Sequence, residues 1–358
     1  MVDGTRTTDA NGDSGVPCTP MSTRAPGLFV MVATVALLAV ACASDEAPSA
    51  SPGEWTTVDG PTSEVPACDG EDGAGIEHPD WPVGGGPDPA FLPVVQSSLV
   101  TIGPNRFLYN VLDSAYRQVA APELASSVDF YAIERDPDTP AASVAAAYLS
   151  SGLGRGLYRA AVDFDCIGEW GAEISMDLAD GSTVSERIRF GVHAAGSTPA
   201  IGAPAPRSDS PTAGTLDEVR LISTDAHPYP AAYEQTIGEA VSSGQPALVF
   251  FATPAFCQTG YCGPTVELVK GVAREHEDEV AFVNVEPYEL DVTENGLQPQ
   301  LDENGQLRPV PAALDYGIPV EPYLFVVDND GNVFAKFEGI VGGDELRAAI
   351  GDVLAEAA

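Results

Sequence analysis

The 358-residue chain carries 53 Asp and Glu against 16 Lys and Arg, a formal net charge of −37, although only 19% of its residues are charged. A surface this acidic repels phosphate backbones and anionic lipid headgroups, which excludes nucleic-acid binding as a function class. The acids are spread along the chain rather than gathered in a tail, so they read as a solubilising, salt-tolerant surface. The length suggests about two domains.

The first 42 residues read as targeting sequence. Arg24 precedes the apolar run LFVMVATVALL at 28–38, and the small residues Ala39, Val40 and Ala41 follow before Cys42. A positive end, a short apolar core and small residues before a cleavage point make a signal peptide. The run is too short to cross a bilayer comfortably. Residues 1–20 are polar, which makes Met21 a credible start. A cysteine placed directly after such a core resembles the lipobox of bacterial lipoproteins, with Ala39 where that family prefers leucine. The resemblance implies that Cys42 is the lipidated first residue, and that the protein sits at the extracytoplasmic face of the cell membrane. A secreted protein with an incidental Cys42 is the alternative.

Export sets the cysteine arithmetic. With Cys18 outside the mature chain and Cys42 lipidated, Cys68, Cys166, Cys257 and Cys262 remain. Four cysteines in an oxidising compartment suggest two bridges, with three possible connectivities. The near pair Cys257/Cys262 and the distant pair Cys68/Cys166 are the natural choice, the distant bridge being structural and pinning the tether to the first domain.

Residues 43–88 are dominated by Pro, Gly, Ser and acids and read as a disordered tether. From 89 to 195 the pattern has period two. EWGAEISMDL places Trp170, Ala172, Ile174, Met176 and Leu178 on one face. An Asp180-Gly181 turn follows, and TVSERIRFGV then turns Val184, Ile188, Phe190 and Val192 inward, a hairpin signal. Further strands are expected at 106–112, 128–134, 143–149 and 157–164. Short alternating strands at this spacing predict an antiparallel β-sandwich. The stretch GLYRAAVDFDCIGEW resembles the immunoglobulin-like modules attached to exported bacterial proteins. His193 ends a strand alone and reads as an ordinary histidine. The Pro/Gly-rich stretch ending at 215 reads as a linker, over 196–215.

From 216 to 358 strands alternate with helices. A helix is expected over 231–244, a doubly buried strand at 246–252, a helix after the cysteine loop and a second buried strand at 280–286. Two strands joined by an Asp-Asn-Asp-Gly turn follow, and then an amphipathic helix capped near Asp344. This order, with the loop FCQTGYCGPT between the first strand and the second helix, resembles the thioredoxin fold. The fold class is thus multidomain: an immunoglobulin-like antiparallel β-sandwich followed by an α/β thioredoxin-like domain.

The segment YGIPVEPYLFVVDNDGNV is similar to the thioredoxin family's Tyr-Gly-Ile stretch, followed by a proline entering a strand. The resemblance implies that Pro322 is a cis-proline facing the active-site cysteines, exposing backbone to substrate and keeping metal off the thiols. Pro264 is tolerated only in a helix's first turn, so the helix starts around 262–264. Its free N–H groups and positive dipole end stabilise a thiolate. Matching Cys-Gly-Pro makes Cys262 the attacking cysteine, as the helix-start argument favours. Counting from the strand end at Ala252 makes it Cys257, in an enlarged loop.

Three positions depart from the family pattern. Four residues separate the cysteines instead of two, and Thr265 stands where the resolving cysteine belongs. Phe256 replaces a tryptophan, and Val249 takes a buried position that often holds a proton-shuttling aspartate. The insertion at 289–311 is expected to shape a substrate edge, and its DENG stretch reads as a turn.

The resemblance implies a surface-anchored thiol–disulfide oxidoreductase working through Cys257 and Cys262, with neither cofactor nor metal. Its partners would be exported protein thiols and disulfides, or a membrane electron donor. One alternative is a non-catalytic binding module whose disulfides are structural. Another is a Sco-like copper chaperone, which needs a histidine near the cis-proline; LDYGIPVEPY has none, and His227 and His276 lie elsewhere. Thr253 and Cys257 have the wrong separation for a peroxiredoxin.

Overall fold

A computed structural model describes residues 65–68, 80–82, 89–150 and 156–357. The expected signal segment and the lipidation candidate Cys42 lie outside the described residues. Among the described residues no helix is long and apolar enough to cross a membrane.

Among the described residues the first module contains seven strands: β1 (Leu92–Val95), β2 (Gly103–Leu112), β3 (Ser126–Tyr131), β4 (Ala142–Ser150), β5 (Gly156–Phe164), β6 (Gly168–Asp177) and β7 (Thr183–Val192). All pair antiparallel, in the order β1-β2-β5-β4-β3-β6-β7. The predicted alternation in β6 and β7 buries Trp170, Ala172, Ile174, Met176, Ile188 and Val192, with Val184 and Phe190 half-buried against the same core, whereas Leu178, just past the end of β6, is exposed.

A sandwich would separate the strands into two sheets, whereas here one sheet curls on itself. Strand β4 makes the join, its first half pairing with β3 as far as Ala146 and its second half with β5 from Ala147. The run Ala145-Ala146-Ala147 keeps side chains small at the crossing. At the opposite side the edges nearly meet, through a bridge between Thr101 and His193. The two halves enclose an aromatic core, in which Phe107 meets Phe130 edge-on at 5.1 Å, Phe130 meets Phe164 at 5.4 Å and Phe164 meets Trp170 at 4.8 Å.

Two short stretches of the tether segment dock on this module. Cys68 is bonded to Cys166 just before β6, and the Cys68 N–H donates to the Ile167 carbonyl at 2.9 Å. Trp81 is buried against Tyr131 with ring centroids 4.7 Å apart. The Trp81 ring lies so close to Gly171 that a Cβ there would sit 2.4 Å from it, so only glycine fits this position of β6.

The second module holds a four-stranded mixed sheet. Strands β8 (Ala247–Phe251) and β9 (Ala281–Val285) are parallel, β12 (Tyr323–Val327) runs antiparallel to β8, and β13 (Val333–Glu338) closes the order β13-β12-β8-β9. Strands β8, β9 and β12 are buried on both faces, as the unbroken apolar runs of β8 and β12 require; β9 is apolar but for the buried Asn284. One face packs against α3 (Cys262–Glu275) and α5 (Gly343–Ala357), through residues such as Leu248, Phe250, Val266, Val269, Leu346 and Ile350. The other packs against α2 (Ile237–Val241) and α4 (Pro311–Asp315), with Val249 and Phe251 facing Ile237 and Tyr316. This is a thioredoxin-like arrangement.

The single helix expected over 231–244 is instead two short pieces, a 3-10 turn at Pro230–Tyr233 and α2. Thr236 restarts the helix: its hydroxyl accepts from the Glu239 N–H while the Glu239 carboxylate reaches back, a capping box. A further short helix, α1 (Leu216–Val219), opens the module. The insertion forms a hairpin, β10 (Leu290–Thr293) and β11 (Gly296–Pro299), and Asp302 Oδ1 closes the DENG turn on the N–H groups of Asn304 and Gln306. The segment between the modules lies on the second one, where Val333 N donates to Ala203 O and Gly202 N to Val333 O.

Charged contacts join the modules. The Arg106 guanidinium donates to both Glu345 carboxylate oxygens, at 3.1 and 2.6 Å, and to the Ile340 carbonyl at 2.9 Å; Arg159 donates to Glu345 at 2.9 Å. Glu345 also accepts from the Gly342 N–H. Glu345→Ala is expected to lower stability by about 2–4 kcal/mol, because it leaves two half-buried guanidinium groups without their carboxylate. Urea denaturation of wild type and variant measures this, and a change under about 0.5 kcal/mol, the range of ordinary surface substitutions, would contradict it.

Candidate functional site

The site forms where β8 ends and α3 begins. Cys262 is the first residue of α3 and Pro264 the third, where the missing proline N–H costs no intrahelical bond. Tyr261 is the N-cap and supplies no side-chain cap. Instead the Cys262 N–H donates to Cys257 Sγ at 3.2 Å, so the sulfur of Cys257 occupies a capping place at the helix N-terminus. Cys257 and Cys262 form a disulfide with Cα atoms 6.0 Å apart. Cys262 is fully buried and Cys257 only partly so. Thr265 is buried among the apolar residues of α3.

The Glu321–Pro322 peptide is cis and leads into β12. It is tied to the cysteine loop: Thr259 Oγ1 donates to the Glu321 carbonyl at 3.0 Å, and the Gln258 N–H donates to Glu321 Oε1 at 2.8 Å. Thr259 Oγ1 also lies 3.4 Å from Cys257 Sγ and accepts from the Tyr261 N–H at 3.3 Å. Cys257, Cys262 and Pro322 are thus brought together at one end of the sheet, while Cys68 and Cys166 form their bridge in the other module.

Several site residues carry no signal in a family motif. Glu321 is buried at 2% exposure, with Oε2 accepting from the Tyr288 hydroxyl at 2.5 Å. Burial and the neighbouring Glu321 carboxylate push the Tyr288 phenol above its ordinary range. Tyr288 precedes the insertion, so the insertion's root supplies one wall of the site. Tyr261 packs against Leu108, Leu149 and Leu157 of the first module and Ile340 of the second, so the β-sheet module buttresses the cysteine loop. The usable sequence clue for Glu321 is a carboxylate placed next to a proline that enters a doubly buried strand.

A buried acid is present, though not at 249. Glu286 follows β9 and accepts from both the N–H and hydroxyl of Thr224 on Oε1; that hydroxyl lies 3.4 Å from Thr253 and accepts from the Ala255 N–H. Burial raises the Glu286 pKa above 4.5. The unfolded chain therefore loses this proton first as pH rises. Stability falls as pH climbs from about 4.5 toward the raised native value, and levels off above it. Glu286→Gln is expected to remove that fall, gaining stability at pH 7 relative to wild type but little at pH 4. Thermal melts at the two pH values check this, and an equal effect at both would contradict it.

The cluster able to hold a metal, among the described residues, is Cys257, Cys262 and Glu321, whose ligand atoms lie within 4.8 Å of one another. It contains no histidine; His227 makes a backbone contact with Lys270, and His276 pairs with Glu279.

No protein-family model and no curated protein matches the sequence. Among solved structures, a crystallised thioredoxin-like superfamily protein is similar at 16% identity with a TM-score of 0.28, covering 43% of this chain and 97% of that one. The PmoD soluble domain from Methylocystis sp. is similar at 12% identity with a TM-score of 0.20, covering 28% of this chain and 91% of that one. Neither likeness assigns an activity. The thioredoxin-like character of the second module rests on its strand order, its cis-proline and its cysteine loop.

Proposed function

We propose that the protein is a thiol–disulfide oxidoreductase acting on exported protein thiols, held at the extracytoplasmic membrane face through Cys42. The observation that carries this reading is a Cys257–Cys262 disulfide at the N-terminus of α3, tied to the segment that bears the cis-proline.

Accessibility supports Cys257 as the sulfur that meets substrate. Cys262 is fully buried, whereas Cys257 is partly exposed and its sulfur accepts the Cys262 N–H. The Cys262 N–H and the positive end of α3 therefore stabilise a thiolate at Cys257. In the oxidising direction a substrate thiolate attacks Cys257 Sγ, the Cys257–Cys262 bond breaks, and Cys262 leaves as a thiolate and takes a proton. A second substrate thiolate then attacks the mixed disulfide. The substrate gains a disulfide, the pair gains two electrons, and Cys257 leaves as the thiolate that the helix end stabilises. Reversal of these steps reduces a substrate disulfide.

The test is dithiol oxidation and disulfide reduction by wild type and by a Cys257→Ser/Cys262→Ser double variant. Activity in the wild type and its loss in the double variant support the reading. Equal rates for the two proteins sink it.

A further inference from the structure

Two cysteine sulfurs and one buried carboxylate converge at the end of β8, within 4.8 Å of one another, on three segments that hydrogen bonds lock together. We propose that the reduced site is a metal centre, in which Cys257, Cys262 and Glu321 bind one borderline-soft divalent cation of the Zn(II) class. The disulfide is the metal-free form of the same site. The proposal needs only that the disulfide be reducible, and it stands apart from whether the pair catalyses exchange.

The electron balance is simple. A dithiol reductant gives two electrons and two protons to the Cys257–Cys262 bond and becomes a cyclic disulfide. The two thiols then release two protons as the cation binds both sulfurs.

The thioredoxin resemblance implies that a cis-proline keeps metal off the thiols; here the residue before Pro322 is Glu321, whose carboxylate adds a third donor beside both sulfurs, and this geometry favours closure around a cation. Bonds of about 2.3 Å to sulfur and 2.0–2.2 Å to carboxylate oxygen place tetrahedral ligand atoms roughly 3.5 Å apart. Atoms already within 4.8 Å reach that spacing by side-chain rotation once the S–S bond opens. Glu321 is held ready: Oε1 accepts from the Gln258 N–H and Oε2 from the Tyr288 hydroxyl, which leaves lone pairs free on both oxygens. Such partners fix a ligand's orientation and its basicity. Both partners are neutral, so a buried carboxylate at 2% exposure has no cationic neighbour in its hydrogen bonds, and a bound cation supplies the charge. The donor set selects the ion class. Two thiolates disfavour Mg(II) and Ca(II), and the hard carboxylate favours Zn(II), Cd(II) or Co(II) over Cu(I). The partly exposed Cys257 side leaves the fourth position open, as in zinc sites that bind an exogenous ligand.

The test is titration of the purified full chain with Co(II), after anaerobic reduction, removal of reductant and counting of free thiols. The expected result is a thiolate-to-Co(II) charge-transfer band and tetrahedral d–d absorption that saturate at one equivalent and are displaced by Zn(II). Cys257→Ser/Cys262→Ser should abolish the band even with Cys68 and Cys166 reduced. Glu321→Gln should weaken Co(II) binding roughly 10–100-fold, with Glu321→Asp partly restoring it. Retained re-formation of the disulfide and an unchanged far-ultraviolet circular dichroism spectrum would show that Glu321→Gln still folds. Free thiols with no band would overturn the metal site while leaving thiol exchange standing. A band insensitive to Glu321→Gln would also overturn it, and so would a pair that resists reduction, which would sink exchange as well.

Discussion

Cys262→Ser is expected to trap a mixed disulfide between Cys257 and a substrate thiol, whereas Cys257→Ser should trap almost none. Both single variants should lose at least about a hundredfold in exchange rate, since residues that act as a unit fail together. The asymmetry follows from burial. In Cys262→Ser the remaining sulfur is the partly exposed one beside the helix N-terminus, and nothing is left to resolve the adduct. In Cys257→Ser the remaining sulfur is fully buried, behind the loop that Thr259 ties to Glu321. Mass spectrometry of acid-quenched reactions with a thiol-bearing peptide reads the two adducts directly. Equal trapping, or trapping at Cys262 alone, would return the attacking role to the buried cysteine.

Removing the Cys68–Cys166 bridge by Cys68→Ala/Cys166→Ala is expected to destabilise the β-sheet module by about 2–5 kcal/mol. The bridge closes a sequence separation of 98 residues, so it removes a large loop-closure entropy from the unfolded chain. Both cysteines are buried in the aromatic core, and Trp170 Nε1 donates to the Cys166 carbonyl at 3.2 Å beside them. Urea denaturation followed by tryptophan fluorescence measures the loss. A change below about 0.5 kcal/mol would mean that the docked segment holds by packing alone. Thiol exchange should survive in this variant, because the bridge lies in the other module.

Much of this architecture is legible in the sequence because it follows from local periodicity. Period-two runs mark β6 and β7, unbroken apolar runs mark the buried strands, and Pro264 marks the start of α3. What escapes is what depends on distant partners. No local pattern tells that β4 joins both halves of one curled sheet, because its sequence reads as a strand whichever neighbour it pairs with. The broken helix before β8 has a local signature in Thr236-x-x-Glu239, but the apolar spacing across 231–244 runs through it unbroken and reads as one helix. At the site, both cysteines and Pro322 stand out by residue type. Glu321, Tyr288 and Glu286 become visible only when β8, β9 and β12 bring them beside the loop, because acids and tyrosines are common everywhere else. At the N-terminus of α3 the N–H of Cys262 donates to the sulfur of Cys257, a pairing that only the folded loop shows.

The reduction potential of the Cys257–Cys262 pair, measured in glutathione or dithiothreitol buffers with the Cys68–Cys166 bridge intact, tests the redox reading most directly. A working exchange centre requires a value above about −300 mV, in the range of exchange catalysts. A value below about −300 mV would mark the pair as a structural bridge and contradict the proposed activity.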